Sequence, residues 1–344
     1  MIKSRIQSIG WPRIIIFGFL LTLSITAIGL GIPMDQLLSS TLVRVGMNGI
    51  LVLAMVPAIV SGIGPNFGLP LGIICGLLGV LVTIDLDMSG YSALFTAMII
   101  SIPPAAIIGA GYGWLLNRIK GSEMMIATYI GFSSVALMNI GWILLPFSSP
   151  ETTWPIGRGL RLTISLEGRI ASLLNDFWKI PFGKNQYIPT GMLLFFLLAC
   201  FLMWLFLRSK AGVNMYTAGV NPKFATSSGI NVDRQRLIGT MMSTVLGAIG
   251  IVVYSQSYTF LQLYLAPMYM AFPSVAAILI GGASTRKASI SHVIIGVFLF
   301  QALLVVALPV ANEIMQEGNL AEITRIIVSN GIILYALTQA RKGD

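Results

Sequence analysis

The stretch NFGLPLGIICGLLGVLVTI, residues 66–84, contains no charged side chain. A helix rises 1.5 Å per residue and the hydrocarbon core of a bilayer is about 30 Å thick, so about 20 apolar residues can cross it. We therefore predict an all-α polytopic membrane protein with about ten transmembrane helices. The nine further segments that are long and apolar enough, or nearly so, are 12–32, 43–61, 93–116, 124–146, 189–207, 236–256, 269–283, 289–310 and 323–338.

The composition of the whole chain also indicates a membrane protein. Of its 344 residues, 56% are hydrophobic and only 10% are charged, whereas a soluble domain has about 25% charged residues. A net charge of +9 would suggest nucleic acid as a partner of a soluble protein. Here we expect a lipid bilayer and no nucleic acid. Cys75 and Cys200 lie in apolar segments, which predicts two buried thiols rather than a disulfide.

The distribution of charge predicts the orientation of the spans. With the N-terminus in the cytoplasm, most of the 21 basic residues fall in cytoplasmic connections and most of the 12 acidic residues fall outside. Basic residues collect on the cytoplasmic side, so both termini are predicted to be cytoplasmic. Arg44 is predicted near a span end, where a long side chain reaches the membrane surface. Because no ionisable residue is expected deep within a span, a proton-driven mechanism is disfavoured.

Small and aromatic residues predict how the helices are packed and placed. Two motifs, Gly72-x-x-x-Gly76 and Gly109-x-x-x-Gly113, predict close approach of helix backbones. Indole rings favour the membrane interface. Four tryptophans near predicted span ends are therefore interpreted as an interfacial belt: Trp11, Trp114, Trp142 and Trp204.

Two connections are long enough to carry specific contacts. Residues 208–236, RSKAGVNMYTAGVNPKFATSSGINVDRQR, form the longest predicted cytoplasmic loop. Its alternating small and apolar residues predict a short helix along the membrane surface and a turn at Gly229, which would offer a knob to another protein. Residues 148–188 form a predicted extracytoplasmic loop. Six of its apolar residues have helical spacing, which predicts an interfacial amphipathic helix: Leu166, Ile170, Leu173, Leu174, Phe177 and Trp178.

Two motifs resemble a known family. Residues 218–232, AGVNPKFATSSGINV, resemble the cytoplasmic signature Gly-x-Asn-x-x-Ala-Ala-x-x-Ser/Ala-Gly-Ile-x-Val. That signature is typical of bacterial ABC permeases of the ribose, nucleoside and branched-chain amino-acid superfamily. Residues 276–284, AAILIGGAS, resemble the family segment Ala-Ala-x-x-Ile-Gly-Gly-x-Ser. Phe224 departs from a commonly small position, and residues 285–289 replace a Gly-rich turn. The Asn221-Pro222 pair resembles the nucleoside branch, and residues 228–230 resemble the sugar branch.

The resemblance implies one permease domain over residues 1–344 with a fold like that of type II ABC importers. It also implies a bacterial inner membrane, ABC ATPase subunits, a second permease copy or paralogue, and an extracytoplasmic solute-binding protein as partners. The implied solute is a simple sugar or a nucleoside. The implied ATPase-coupling residues are Tyr216, Gly219, Asn221, Pro222, Phe224, Ala225, Ser228, Gly229 and Ile230.

Catalytic chemistry is not expected in this chain. The sequence has no Gly-x-x-x-x-Gly-Lys-Ser/Thr phosphate loop, so ATP hydrolysis is assigned to a partner. One histidine and two distant cysteines predict no metal site, and no cofactor is expected. An ion-coupled carrier or a channel that works without an ATPase is the alternative. Candidate residues for the translocation path or its gate, each of which also suits an interhelical hydrogen bond or an interface anchor, are Asn48, Asn139, Tyr254, Gln256, Tyr258, Gln262 and Gln301.

Overall fold

The computed structural model describes residues 11–156, 159–183, 186–314 and scattered positions between 326 and 338. In these ranges the chain is mainly helical, with four short strands. The helices are α1 (Trp11–Gly29), α2 (Met34–Leu53), α3 (Met55–Val60), α4 (Leu69–Asp85), α5 (Gly90–Arg118), α6 (Glu123–Leu144), α7 (Leu173–Asp176), α8 (Thr190–Arg208), α9 (Lys210–Val220), α10 (Pro222–Ser227), α11 (Val232–Tyr258), α12 (Ala266–Ile280) and α13 (Ile290–Ile314). The strands are β1 (Thr163–Ser165), β2 (Ile180–Phe182), β3 (Gln186–Ile188) and β4 (Phe260–Gln262).

The described helices overlap the first nine predicted spans. Within the part of the chain that the structure describes, six helical segments are long and apolar enough to cross a membrane, namely α2 with α3, α5, α6, α8, α11 and α13, and three shorter apolar helices lie in α1, α4 and α12. A polytopic helical protein is therefore confirmed, whereas the tenth predicted span, 323–338, lies largely outside the described residues. The all-α prediction needs one correction, because β1 pairs with β4 and β2 pairs with β3.

The connections meet in two groups at opposite ends of the bundle. At one end, Gly62 lies against Gly219, and Lys120 forms an ion pair with Asp233. At the other end, β1 pairs with β4, and the Gly90 amide donates to the Arg169 carbonyl oxygen. Successive long helices therefore alternate in direction. We refer to these as the 208–236 end and the 148–188 end.

Helix α11 packs against both glycine motifs. A Cβ atom at Gly72 or Gly76 of α4 would collide with the carbonyl oxygen of Thr244 or Ala248 on α11. On α5, a Cβ atom at Gly113 would collide with the hydroxyl of Thr240 on the same helix. Only glycine permits backbones to approach this closely in a membrane, where no hydrophobic force draws helices together. The prediction of close packing is confirmed for both motifs.

The long connection 148–188 does not contain the predicted amphipathic helix. Only Leu173–Asp176 is helical in its described part. Ser172 has a φ of 55°, a left-handed conformation that interrupts a right-handed helix. Leu166 and Ile170 are buried nevertheless, whereas Trp178 is exposed. These apolar residues thus belong to a compact loop that covers the end of the bundle, and their helical spacing does not indicate a helix here.

Two tryptophans of the predicted belt have the expected surroundings. The guanidinium of Arg118 lies 4.2 Å from the Trp114 ring centre, and that of Arg208 lies 4.1 Å from the Trp204 ring centre. Both rings are exposed near the 208–236 end, as membrane-interface tryptophans are. Trp142 is fully buried. Its assignment to the belt is therefore wrong.

Candidate functional site

Residues 208–236 fold into two short helices with well-formed starts. The Ser209 hydroxyl accepts a hydrogen bond from the Gly212 amide at 3.3 Å, at the start of α9. Asn221 then accepts from the Phe224 amide at 3.1 Å, at the start of α10. Pro222 is the first residue of α10, where a missing amide hydrogen costs nothing. These side-chain caps satisfy backbone donors that would otherwise lack partners.

The end of α10 has a Schellman motif, which turns the chain directly into α11. The Gly229 amide donates to the Thr226 carbonyl oxygen at 3.0 Å, and the Ile230 amide donates to the Ala225 carbonyl oxygen at 2.9 Å. Gly229 has a φ of 78°, which glycine adopts without strain. Asn231 then caps α11 by accepting from the Arg234 amide at 2.9 Å. The predicted short helix and the turn at Gly229 are thus present, and their position along the membrane surface stays a prediction.

The predicted coupling residues divide into a buried and an exposed face. Gly219 and Ala225 are buried against the bundle, and Ile230 is half-buried. Phe224 is 59% exposed although it is large and apolar. We call residues 220–229 the knob. The other exposed members of the predicted set are Tyr216, Asn221, Pro222, Ser228 and Gly229.

Helix α9 is in direct backbone contact with the end of α3. A Cβ atom at Gly62 would lie 2.8 Å from the Gly219 Cα, and one at Gly219 would collide with the Val60 carbonyl oxygen. Carbon atoms in ordinary contact are about 3.5–4.0 Å apart. The two backbones therefore touch with no side chain between them.

A second set of contacts fixes the start of α11. Arg236 and Glu123 form a 2.6 Å ion pair, with side chains that are 9% and 14% exposed. Lys120 pairs with Asp233 at 2.7 Å, and Asn117 donates to the Asp233 carbonyl oxygen. The first pair is largely removed from water, where loss of either partner leaves an uncompensated charge. The connection between α5 and α6 is thereby attached to the residues that follow the knob.

A polar cavity of about 610 Å³ lies at this same end of the bundle. Its walls are residues 62–64 beside the knob contact, residues 121–125 beside the buried ion pair, and Thr285 with Arg286. Three connections from different parts of the chain therefore border one opening. Sequence reasoning did not identify this cavity, because its lining residues are far apart in the chain and form no motif.

The predicted translocation residues do not form one cluster. Gln256 is fully buried, where it accepts from the Leu174 amide at 3.1 Å and donates to Asn175 at 3.4 Å. It therefore attaches the long loop to α11. The remaining amides are also dispersed: Gln262 pairs with Thr163 in the β1–β4 sheet, Gln301 is buried on α13, and Asn139 lies on α6.

Asn48, Tyr254 and Tyr258 lie on the neighbouring helices α2 and α11. The Tyr254 and Tyr258 rings stack with centres 5.7 Å apart. Arg44 lies one helical turn before Asn48 on α2. Helix α2 begins at Met34 rather than at residue 43, and the position of Arg44 near a span end stays a prediction.

Comparison with known proteins places the chain in one group. The family model described as "Branched-chain amino acid transport system / permease component" matches residues 37–337. The xylose transport system permease protein XylH of Haemophilus influenzae is 26% identical over 87% of this chain and 87% of its own length. The nucleoside ABC transporter permease protein NupC of Lactococcus lactis is 24% identical over 69% of this chain and 78% of its own. No solved structure matches.

Proposed function

Because the chain belongs to the family of branched-chain amino-acid transport permeases, we propose that it forms the solute path of an ABC importer for a sugar or a nucleoside. The xylose and nucleoside permeases among its relatives support that solute class. A separate ABC ATPase supplies the energy. An extracytoplasmic binding protein delivers the solute, and a second permease copy or paralogue completes the path.

The exposed knob is the observation that carries this proposal. It presents Phe224 on a short helix that is capped at its start and closed by a Schellman motif at its end, and the exposed Val220 lies just before this helix. A rigid apolar projection of this kind fits a groove in a partner protein. Closure of the ATPase subunits can shift the permease from one conformation to the other only through contacts that differ between these two conformations. The knob provides such a contact.

Two routes connect the knob to the central helices. Gly219 transmits displacement to α3 through its backbone contact with Gly62. The turn at residues 228–231 leads directly into α11, whose start is held by the Arg236–Glu123 pair. Helices α2 and α11 also carry Asn48 and Tyr254, two of the residues predicted for the solute path. Movement of the knob therefore reaches helices that carry predicted path residues.

The charge distribution supports a cytoplasmic position for the 208–236 end. Among the described residues of the opposite end, the basic side chains are Arg161, Arg169 and Lys179. Lysine and arginine accumulate in the cytoplasmic connections of membrane proteins. The two Arg–Trp stacks also lie at the 208–236 end, which has more basic residues than the opposite end. The basic residues of the 208–236 end are Arg118, Lys120, Arg208, Lys210, Lys223, Arg234, Arg236, Arg286 and Lys287.

A capture experiment tests the knob. Phe224→Ala should weaken co-purification of the ATPase subunits at least several-fold, because an apolar side chain that fills a partner's groove is lost. Phe17→Ala removes an equally exposed phenylalanine from α1 and should leave ATPase capture unchanged. Equal capture by the two variants would contradict the assignment of the knob.

The alternative, a carrier or channel that works alone, is tested in liposomes. Purified permease without any ATPase should move no labelled xylose or uridine. The complete importer with ATP should move at least one of them. Uptake by the permease alone would overturn the proposed function.

A further inference from the structure

Helix α6 combines high exposure with a polar composition. Of the six long membrane segments in the described part of the chain, it is the least buried and also the least apolar. Helix α8 is also largely exposed, but it has no hydroxyl, amide or charged side chain between residues 191 and 207. A helix that faces lipid on most of its surface is expected to be apolar all round, as α8 is. The exposed surface of α6 therefore does not have the composition of a lipid-facing surface.

The polar side chains of α6 include a stripe on its outward face. The inward side packs against the bundle through Ala127, Gly131 and Val135, which are buried. On the outward side, Tyr129 is 62% exposed, and Ser133, one turn further along, is exposed as well. Residues four apart lie on the same face of a helix. Tyr129 and Ser133 therefore form a polar stripe on the face of α6 that points away from the bundle.

The hydroxyl groups of α6 differ in whether they already have a partner. Those of Thr128 and Ser134 each donate at 2.8 Å to a backbone carbonyl oxygen of the preceding turn. Such bonds satisfy a hydroxyl group within its own helix. Among the described residues, the hydroxyl groups of Tyr129 and Ser133 have no hydrogen-bond partner. An unpaired hydroxyl is costly in an apolar medium, so these two groups need a polar neighbour that lipid tails do not provide.

The polar stripe continues the surface of the polar cavity at the 208–236 end. Residues 121–125 border that cavity, whose volume is about 610 Å³. Met125, the last of them, is exposed and lies one turn before Tyr129 on the same face. Ser133 lies about 12 Å beyond Met125 along the helix. The cavity and the stripe therefore form one continuous surface that runs from the bundle end along half of α6.

We propose that this surface is the half of the solute path nearest the 208–236 end, and that Tyr129 and Ser133 bind an uncharged solute with hydroxyl groups. A hydroxyl both donates and accepts hydrogen bonds, as each hydroxyl of a pentose does. The stripe has no charged side chain, and the nearby Glu123 is already paired with Arg236. The ammonium and carboxylate of an amino acid would lack counter-charges there. The stripe therefore suits the pentose of a sugar or a nucleoside, and not a free amino acid.

This inference rests on the proposed function, and labelling of cysteine variants tests the path without measuring transport. The assembled importer is treated, with and without ATP, with a charged, membrane-impermeant methanethiosulfonate added from the 208–236 side. Ser133→Cys should react, because the path contains water. The native Cys75 and Cys200 are buried and should contribute little labelling.

Leu198→Cys is the matched control. Leu198 is 53% exposed on the apolar helix α8, and it lies about 15 Å from the end of its helix at Arg208, as Ser133 does from Glu123. It should not react, because lipid covers an apolar face. No reaction of Ser133→Cys in either condition, or equal reaction of the two variants, would overturn the inference. Coverage of the stripe by lipid or by a tightly packed partner would give the first of these results.

Uptake by the complete importer tests the two hydroxyl groups. Ser133→Ala and Tyr129→Phe should each lower ATP-dependent uptake about fivefold or more, because a hydrogen bond to the solute is lost. The ATPase activity of the assembled complex should stay near the wild-type value. Ser134→Ala removes a hydroxyl that is bonded within its own helix and should leave uptake unchanged.

The labelled solutes are xylose, uridine and leucine. Uptake of xylose identifies a free sugar as the source of the pentose, and uptake of uridine identifies a nucleoside. Leucine should not be carried. Wild-type uptake by Ser133→Ala or by Tyr129→Phe, or ATP-dependent uptake of leucine, would overturn the inference. Uptake without the ATPase would instead overturn the proposed function.

Discussion

Replacing Gly219 with alanine has two opposing effects: it raises the helix propensity of α9, and it disrupts the backbone contact between α9 and α3. Gly219 lies in the last turn of α9, where alanine is favoured over glycine by up to about 1 kcal/mol. A Cβ atom there would collide with the Val60 carbonyl oxygen. That atom would lie about 1 Å inside the closest distance that real Cβ atoms keep from a carbonyl oxygen. The α9 backbone must therefore retreat from α3 by about 1 Å.

The expected magnitude follows from these opposing effects. Overpacking costs about 1–3 kcal/mol, and the propensity gain offsets part of it. If the contact between α9 and α3 is destabilised by about 1–2 kcal/mol net, the population in which this contact is formed falls about five- to thirtyfold relative to the population in which it is open. If this contact transmits the motion of the ATPase, solute uptake per ATP hydrolysed should fall by a similar factor. The protein should still insert and assemble.

The assay measures ATP hydrolysis and uptake together in proteoliposomes that contain the whole importer. Gly111→Ala is the matched control, because this glycine of α5 has open space around it. It should leave the ratio of uptake to hydrolysis unchanged. Wild-type coupling in Gly219→Ala, or a gain in stability like that expected for Gly111→Ala, would refute the reasoning that the contact transmits motion.

Three further predictions concern packing, capping and pH. Gly72→Val should lower the thermal stability of the detergent-solubilised protein, because its side chain would meet the rigid Thr244 carbonyl group; an unchanged melting temperature would contradict the α4–α11 packing. Asn221→Ala removes a cap worth about 1 kcal/mol and should weaken ATPase binding about fivefold, which a titration of purified ATPase measures. The hydrogen bond from Arg169 holds the pKa of Glu151 below its ordinary value, so this link stabilises the loop above about pH 4.5 and is lost as pH falls further. The protection of the loop amides from exchange, measured relative to the intrinsic rate at each pH, should therefore fall on acidification in the wild type and much less in Glu151→Gln.

The knob could be predicted from the sequence because its structure depends on local signals. Asn221-Pro222 starts a helix, and Ser228-Gly229 ends one within a few residues, so no distant partner is needed to fix the path of the chain. The glycine motifs were informative in a more restricted way. Close packing followed from their spacing, but the fact that Gly72 and Gly113 both contact α11 depends on residues more than a hundred positions away.

The sequence-based predictions of the second span and of Trp142 were wrong because other parts of the structure provide contacts that the local sequence does not show. Residues 34–43 include several polar side chains, so average hydropathy began the second span too late. Thr41 donates to the Leu37 carbonyl oxygen within the helix, and Ser39 donates to Tyr187 in the long loop. These hydrogen bonds remove the cost of burying the hydroxyls. Trp142 was misplaced for a related reason, because the loop covers its helix end, where the Leu160 amide donates to the Trp142 carbonyl oxygen.

The two routes from the knob converge on helices that are held together at close range. A Cβ atom at Gly239 of α11 would lie 2.5 Å from the Ser61 Cβ, and one at Gly250 would lie 2.7 Å from a methyl carbon of Leu51. Helices in such contact cannot slide past each other by a residue without a collision. Helix α3 is also fully enclosed, and it is separated from α2 at Ala54, three residues before Pro57, which cannot donate to the Leu53 carbonyl oxygen. Because Leu51 belongs to α2 and Ser61 follows α3, α11 contacts the chain on both sides of this break, and the loss of one hydrogen bond at Pro57 leaves α2, α3 and α11 packed as one unit.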